Sequence, residues 1–223
     1  MADELLFRFL TLLERLGVWP AVVAWLAVAL GAAAMAYVLR KEEVTIWWSA
    51  SVVGLLALAA NLADYFVTLR QSPDLTLEAN PLWRNVVDYF GLRVAKWYGL
   101  SGKVFVSVLA AQMFAFYLSQ RATIFPARAD SLWQFLMRMG SCTRTHRERL
   151  LGLFAIFAFF FAWINAFYFY IAYTNSLDDP DVLQKLPSVS VALLIFVAAL
   201  AIAFSLTTYR AFRRSVSVVS ERS

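Results

Sequence analysis

Five long apolar stretches, separated by charged or turn-forming segments, divide this chain. Val18–Leu39 ends in the cluster Arg40, Lys41, Glu42, Glu43, and Thr45–Leu69 opens with Trp47 and Trp48. Leu92–Leu118, Leu150–Thr174 and Ser188–Tyr209 follow. Each is long enough for a helix to cross a bilayer at 1.5 Å per residue. Before the first, Leu5, Leu6, Phe9, Leu10, Leu13 and Leu16 share one helical face, while Glu4, Arg8, Glu14 and Arg15 lie largely off it. That pattern predicts a short helix lying in the membrane interface. Two shorter pieces have helical character: PLWRNVVDYFG, which Pro81 can open as a first-turn residue, and SLWQFLMRM, an amphipathic turn or two inside an arginine-rich loop. The predicted fold is an all-α integral membrane protein, a five-transmembrane-helix bundle with an N-terminal amphipathic interfacial helix (1–17). One membrane domain spans 18–210, and 211–223 forms a basic cytoplasmic tail.

The polar residues inside the apolar stretches carry the candidate chemistry. On the second span, Asn61, Asp64 and Thr68 stand at i, i+3 and i+7 and so share a face. An aspartate well inside a span costs roughly 2.5–3.5 kcal/mol on insertion scales, and it needs a partner. On the third, Lys96, Gly99, Lys103 and Ser107 repeat the same spacing. The fourth, the most aromatic, offers Asn165 with Tyr168 three residues on. Counted from the second span's far end, Asp64 lies ~9 Å deep, Asn61 and Asn165 ~13 Å, Lys103 ~16 Å, and Tyr98 and Tyr168 ~9 Å. The expectation is that three helices place their only strongly polar interior residues in one layer, with an Asp64–Lys103 pair at its centre. Glu78, Asn80, Pro81 and Lys96 would form the mouth above it. As a structural alternative, the same layer is a polar knot that orients helices, since interhelical polar contacts contribute only about 0.6–2 kcal/mol.

Composition supports a membrane protein. Of 223 residues 61% are hydrophobic and 16% charged, with 19 Phe and a mean hydropathy of +0.65, more apolar side chain than a soluble domain of this length can bury. One Cys and one His leave no disulfide framework and no Cys/His zinc site, and no cofactor or metal is implied. The net charge of +5 points to anionic lipid heads, not nucleic acid. The Lys and Arg residues, Lys103 aside, divide twelve to seven in favour of the side holding the first and third loops and the C-terminus. By the positive-inside rule the C-terminus is then cytoplasmic and the N-terminus outside. Six arginines between the third and fourth spans, Arg121, Arg128, Arg138, Arg144, Arg147 and Arg149, are candidate contacts for lipid or a partner.

The ordered pattern Asp64-x-x-x-Thr68, Glu78-x-Asn80-Pro81, Lys103 and then Asn165 resembles a family of small prokaryotic membrane proteins of unknown function. The resemblance covers about residues 50–175 and three spans. It implies a prokaryotic cytoplasmic-membrane protein and supports the site without naming a reaction. Three function classes remain open. A small transporter or channel for an ion or proton-coupled solute, homo-oligomeric because five spans enclose little volume, leads because intramembrane acid–base pairs mark ion or substrate paths. An accessory subunit of a larger membrane complex would use the layer as glue and expose small residues on the first span. A lipid-active enzyme would use Asp64 or Glu78 as acid or base in a groove open to lipid. The sequence leans away from an enzyme: nothing in it resembles a phosphate-binding or metal-dependent lipid motif, and Lys103 and Ser107 at i, i+4 form a Ser–Lys pair too deep for water. Separately, the lysine argues against a divalent cation on Asp64 and Glu78.

Overall fold

The computed structural model describes residues 16–76, 80–139, 145–177 and 179–220. Residues 1–15 of the expected interfacial helix, Glu78 and Arg144 lie outside those residues, while its last two, Leu16 and Gly17, form a turn with Gly17 at φ +66°. The described chain is helical, and five of its helical segments are long and apolar enough to cross a membrane. These are α1 (Trp19–Val38), α2 (Val44–Gln71), α4 (Leu92–Gln120, continued by a 3₁₀ turn Arg121–Ile124), the pair α6 (His146–Ile164) and α7 (Tyr168–Ser176), and α9 (Val189–Ser220). Three short helices fill the connections: α3 (Pro81–Phe90), α5 (Leu132–Arg138) and α8 (Pro180–Lys185).

Local chemistry sets the short helices. The Asn80 side chain accepts from the Leu82 N–H at 3.0 Å, and Pro81 takes the first turn of α3, where its missing N–H costs nothing. Ser131 caps α5 in the same way through Gln134 N–H at 3.2 Å, and Asp179 caps α8. Helix α6 starts at His146, four residues before the apolar run, because Thr145 and Glu148 close a reciprocal capping box.

Two expected spans differ from the helices found. The fourth is interrupted at Asn165–Phe167 by a 3₁₀ turn. There Asn165 Nδ2 donates to the Phe161 carbonyl at 2.9 Å, a bond that Asn61 repeats to the Ala57 carbonyl on an unbroken helix, so that bond alone does not account for the turn. The fifth runs on to Ser220 instead of ending near Tyr209, carrying Arg210, Arg213 and Arg214 on a helix rather than a free tail. Phe212, 3% exposed, explains the extension, for it packs with Phe125 and Phe135 against α5.

Helix α4 is the axis of the bundle, and α1, α2, α3 and α6 all pack on it. Its approach to α2 is close because Gly54 faces Ala111: a Cβ on Gly54 would lie 2.7 Å from the Ala111 Cβ. The main core lies toward the α5 end, where Phe116, Tyr117, Phe159 and Phe204 interlock. A second apolar cluster at the α3 end joins Val18 and Ala21 to Tyr65, Trp83, Val86 and Ala95. Between these two cores sits the polar layer.

Candidate functional site

Asp64 and Lys103 meet across the α2–α4 contact, with Lys103 Nζ 2.6 Å from Asp64 Oδ2. Their side chains retain only 12% and 18% exposure. The pair forms because α2 and α4 cross tightly enough at Gly54 to bring both polar faces into the seam. Each charge offsets the other's desolvation, which is the condition under which buried charges persist. On the side of α7, the Lys103 ammonium lies over the Tyr168 ring, 4.0 Å from its centroid, an arrangement attractive to a cation.

Below this pair Asn61, 1% exposed, knits three helices. Its Nδ2 reaches the Ala57 carbonyl at 2.8 Å, the Asn165 Oδ1 at 3.3 Å and the Ser107 Oγ at 3.4 Å. With two amide protons for three acceptors, one of these contacts is shared. Ser107 Oγ donates to the Lys103 carbonyl at 2.7 Å, so its hydroxyl proton is committed to its own helix. The 3₁₀ turn at Asn165 places that amide on Asn61 and, three residues on, Tyr168 on Lys103. A local break in helical register at a polar cluster is a recurrent feature of functional sites.

Beside the pair opens a cleft of about 220 Å³. Lys103 and Asn61 line it, along with Trp25 of α1, Asn80 and Trp83 of α3, and Tyr168 of α7. Asp64 does not line it; the carboxylate stands behind the ammonium. The floor is Gly99 and Gly102 of α4. Trp83 is seated over this floor: its Nε1 donates to the Ala95 carbonyl at 2.6 Å, and a Cβ on Gly99 would fall 2.3 Å from its ring. Tyr65 stacks on Trp83 with centroids 5.7 Å apart and donates to the Lys96 carbonyl. On the α1 side, Tyr98 donates to the Ala21 carbonyl, and Trp25 Nε1 to Ser101 Oγ at 3.0 Å.

The remaining candidates are placed as follows. Thr68 is half-buried, does not line the cleft and offers its backbone carbonyl to Ser72. Lys96 contributes a carbonyl to Tyr65 and does not line the cleft. Asn80 lines the cleft while capping α3, and Pro81 begins that helix. Of the arginines, Arg121 opens the 3₁₀ turn, Arg128 stands 3.8 Å from Asp130 with both side chains largely exposed, and Arg138 donates to the Arg128 carbonyl. Arg147 and Arg149 are exposed on the first turn of α6. In the loop after α2, the Thr76 amide and hydroxyl hold the Asp74 carboxyl below its usual range.

On the long helices, sequence reasoning passed over two buried polar positions. Gln112, 6% exposed on α4, breaks the expectation that each span has its strongly polar residues in one layer, and its Oε1 has no hydrogen-bond partner. Thr208 on α9, fully buried, shares a 2.8 Å hydrogen bond with Tyr117. Helical spacing drew attention to neither, because only uncharged hydroxyls share their faces, Ser119 with Gln112 and Ser205 and Ser215 with Thr208. No family model, curated protein or solved structure matches this chain, so the reading of the site stands on its geometry.

Proposed function

We propose that this protein is a small transporter of the prokaryotic cytoplasmic membrane, with its N-terminus outside, and that the Asp64–Lys103 layer is its binding centre. The observation that carries the reading is the position of Lys103. An ion-paired ammonium in mid-span forms part of the wall of a cleft, instead of being sealed among apolar side chains. Charges inside spans that face a cavity mark substrate and ion paths. With the basic ends of α6 and α9 in the cytoplasm, the cleft opens in the outer leaflet beneath α3, which is the outward-facing state of an alternating-access cycle. The prokaryotic assignment rests on the resemblance carried by Asp64, Thr68, Glu78, Asn80, Pro81, Lys103 and Asn165.

Purified protein reconstituted in liposomes tests the reading. Solute-driven uptake or proton movement is expected for the native chain and absent for Lys103→Met at equal incorporation. Equal rates in both vesicle populations would overturn it.

One observation favours a second reading, a subunit of a larger membrane assembly. Ala27, Gly31 and Ala34 lie at i, i+4 and i+7 on α1; both alanines are exposed, and Gly31 has nothing within 4 Å of where a Cβ would be. Such a face suits close helix docking. Native mass spectrometry from the source membrane separates the readings: a homo-oligomer without other chains supports the transporter, and a stable hetero-complex supports the subunit.

A further inference from the structure

We infer that the cleft receives a small organic anion on Lys103, and that Asp64 takes one proton from bulk water for each anion bound. This names the substrate class and the coupling ion of the site, and it rests on the transport reading above.

The asymmetry of the ion pair selects the sign of the ligand. Lys103 lines the cleft and Asp64 does not, so an entering group meets the ammonium first. A cation would have to pass that charge to reach the carboxylate. An anion finds a donor directly, because an ammonium has three N–H bonds and only one is directed at Asp64 Oδ2. The Asn61 and Asn80 amides line the same space and add neutral polar groups. The body of the ligand is set by the walls. Trp25, Trp83, Tyr98, Phe105 and Tyr168 surround a floor of Gly99 and Gly102, which suits a compact, flat, apolar frame. At about 220 Å³ the cleft lies below the roughly 300–1,000 Å³ of pockets for drug-sized molecules, so the ligand is small.

Charge balance then requires the proton. Empty, the site holds one ammonium and one carboxylate and is neutral. An anion on Lys103 leaves two negative groups around one positive charge in surroundings of low dielectric. A buried carboxylate whose partner is shared away is strongly disfavoured, and protonation is the ordinary remedy. One proton moving from bulk water onto the Asp64 carboxylate restores neutrality: no bond other than O–H forms, and none breaks within the ligand. Among the described residues that line the cleft, no other carboxylate is offered for this role. From α1 come Ala24, Trp25 and Val28, and from α3 Asn80 and Trp83. From α4 and α7 come Tyr98 and Tyr168, phenols ordinarily neutral.

The anionic group has two possible sources, a soluble organic acid or the headgroup of an anionic lipid. Isothermal titration of the full chain in uncharged detergent, with benzoate, inorganic phosphate and phosphatidylglycerol as probes, distinguishes them. Each titration is repeated in buffers of different ionisation heat, which gives the number of protons taken up. Saturable benzoate binding with about one proton taken up supports a soluble organic acid, the same result with phosphatidylglycerol alone supports a headgroup, and binding of inorganic phosphate alone would overturn the organic frame. Asp64→Asn should still bind, with no proton uptake. Lys103→Met should bind about ten- to a hundredfold more weakly, and Lys103→Arg should retain binding. Binding of none of the three probes, binding without proton uptake, or unchanged uptake in Asp64→Asn would overturn the inference, whether or not Lys103→Met folds. Vesicle flux is a separate readout: binding with proton uptake but no transport would sink the transport reading and leave the anion site standing.

Discussion

Of the buried polar contacts that tie long helices together, two have opposite surroundings. Asp64 and Lys103 join α2 to α4 beside a cleft, with a tyrosine ring under the ammonium and asparagines nearby. Tyr117 and Thr208 join α4 to α9 among Phe114, Phe159 and Phe204, whose ring centroids lie 5.0–6.0 Å from that of Tyr117. The first contact uses full charges and leaves space beside them. The second uses two hydroxyls, satisfies both and fills the space with rings. Adhesion between helices needs no more than the second arrangement, since neutral hydrogen bonds in apolar surroundings suffice for it. The charges, and the space left beside them, are what adhesion does not account for.

The sharpest way to break this comparison is to remove a charge at one contact and a hydroxyl at the other. On the transport reading, Lys103→Met should lower vesicle uptake by about a hundredfold or more, because it removes the ammonium that lines the cleft and leaves Asp64 without its partner. Thr208→Val in the same assay should leave uptake per folded molecule unchanged. If both variants, or neither, lost transport, the two contacts would be alike in kind and the distinction would fail.

The next largest effect lies in the α5 half and should concern stability alone. Phe135 is fully buried against Phe125, Tyr209 and Phe212, and it holds α5 to the extended end of α9. Phe135→Ala is expected to cost about 3–5 kcal/mol. The readouts are thermal unfolding in detergent and faster proteolysis near Arg138, with the affinity of the cleft for benzoate unchanged in the protein that remains folded.

Gly99→Ala tests whether the cleft depends on its roof. A methyl group there would collide with the Trp83 ring, which must move and weaken its hydrogen bond to the Ala95 carbonyl. Overpacking of this kind costs about 1–3 kcal/mol. Hydrogen exchange should quicken in α3, and anion affinity should fall, while amides of α6 and α9 stay protected. Equal protection in α3 before and after the substitution would mean that Trp83 does not hold the roof.

Much of this contrast was legible in the sequence, and the parts that were not share a cause. Five long apolar runs gave the five candidate membrane helices, because length and continuous hydrophobicity identify a span without tertiary information. A count of rise per residue puts Asn61 and Asn165 at one depth, and the lysine side chain spans the remaining offset between Lys103 and Asp64. The 3₁₀ turn at Asn165 was not legible, since Asn61 makes the same side-chain bond to its i−4 carbonyl on an unbroken helix and residue type does not tell the two apart. The extension of α9 to Ser220 was hidden for a related reason: Phe212 reads as one aromatic among arginines until Phe125 and Phe135 are folded onto it. Thr208 and Tyr117 escaped notice because a hydroxyl on an apolar helix does not reveal its partner. A lone hydroxyl in an apolar helix can bond its own backbone, as Thr207 does to the Ala203 carbonyl at 2.7 Å, so its sequence position says nothing about a partner.

That ambiguity gives the smallest and most exact of the tests. Tyr117→Phe keeps the ring and its contacts with Phe159 and Phe204 and deletes only the hydroxyl shared with Thr208. Interhelical hydrogen bonds of this type average about 0.6 kcal/mol, and Thr208 can turn back to its own helix once released, so the loss should sit near that figure. A double-mutant cycle with Thr208→Val isolates the coupling from the loss of each group alone. Coupling near the average, with uptake unchanged in all three variants, would place this contact among the ordinary joints of a helical bundle. Coupling of several kcal/mol, or any change in transport, would show that the aromatic half takes part in the working of the cleft and is not merely the frame that holds it.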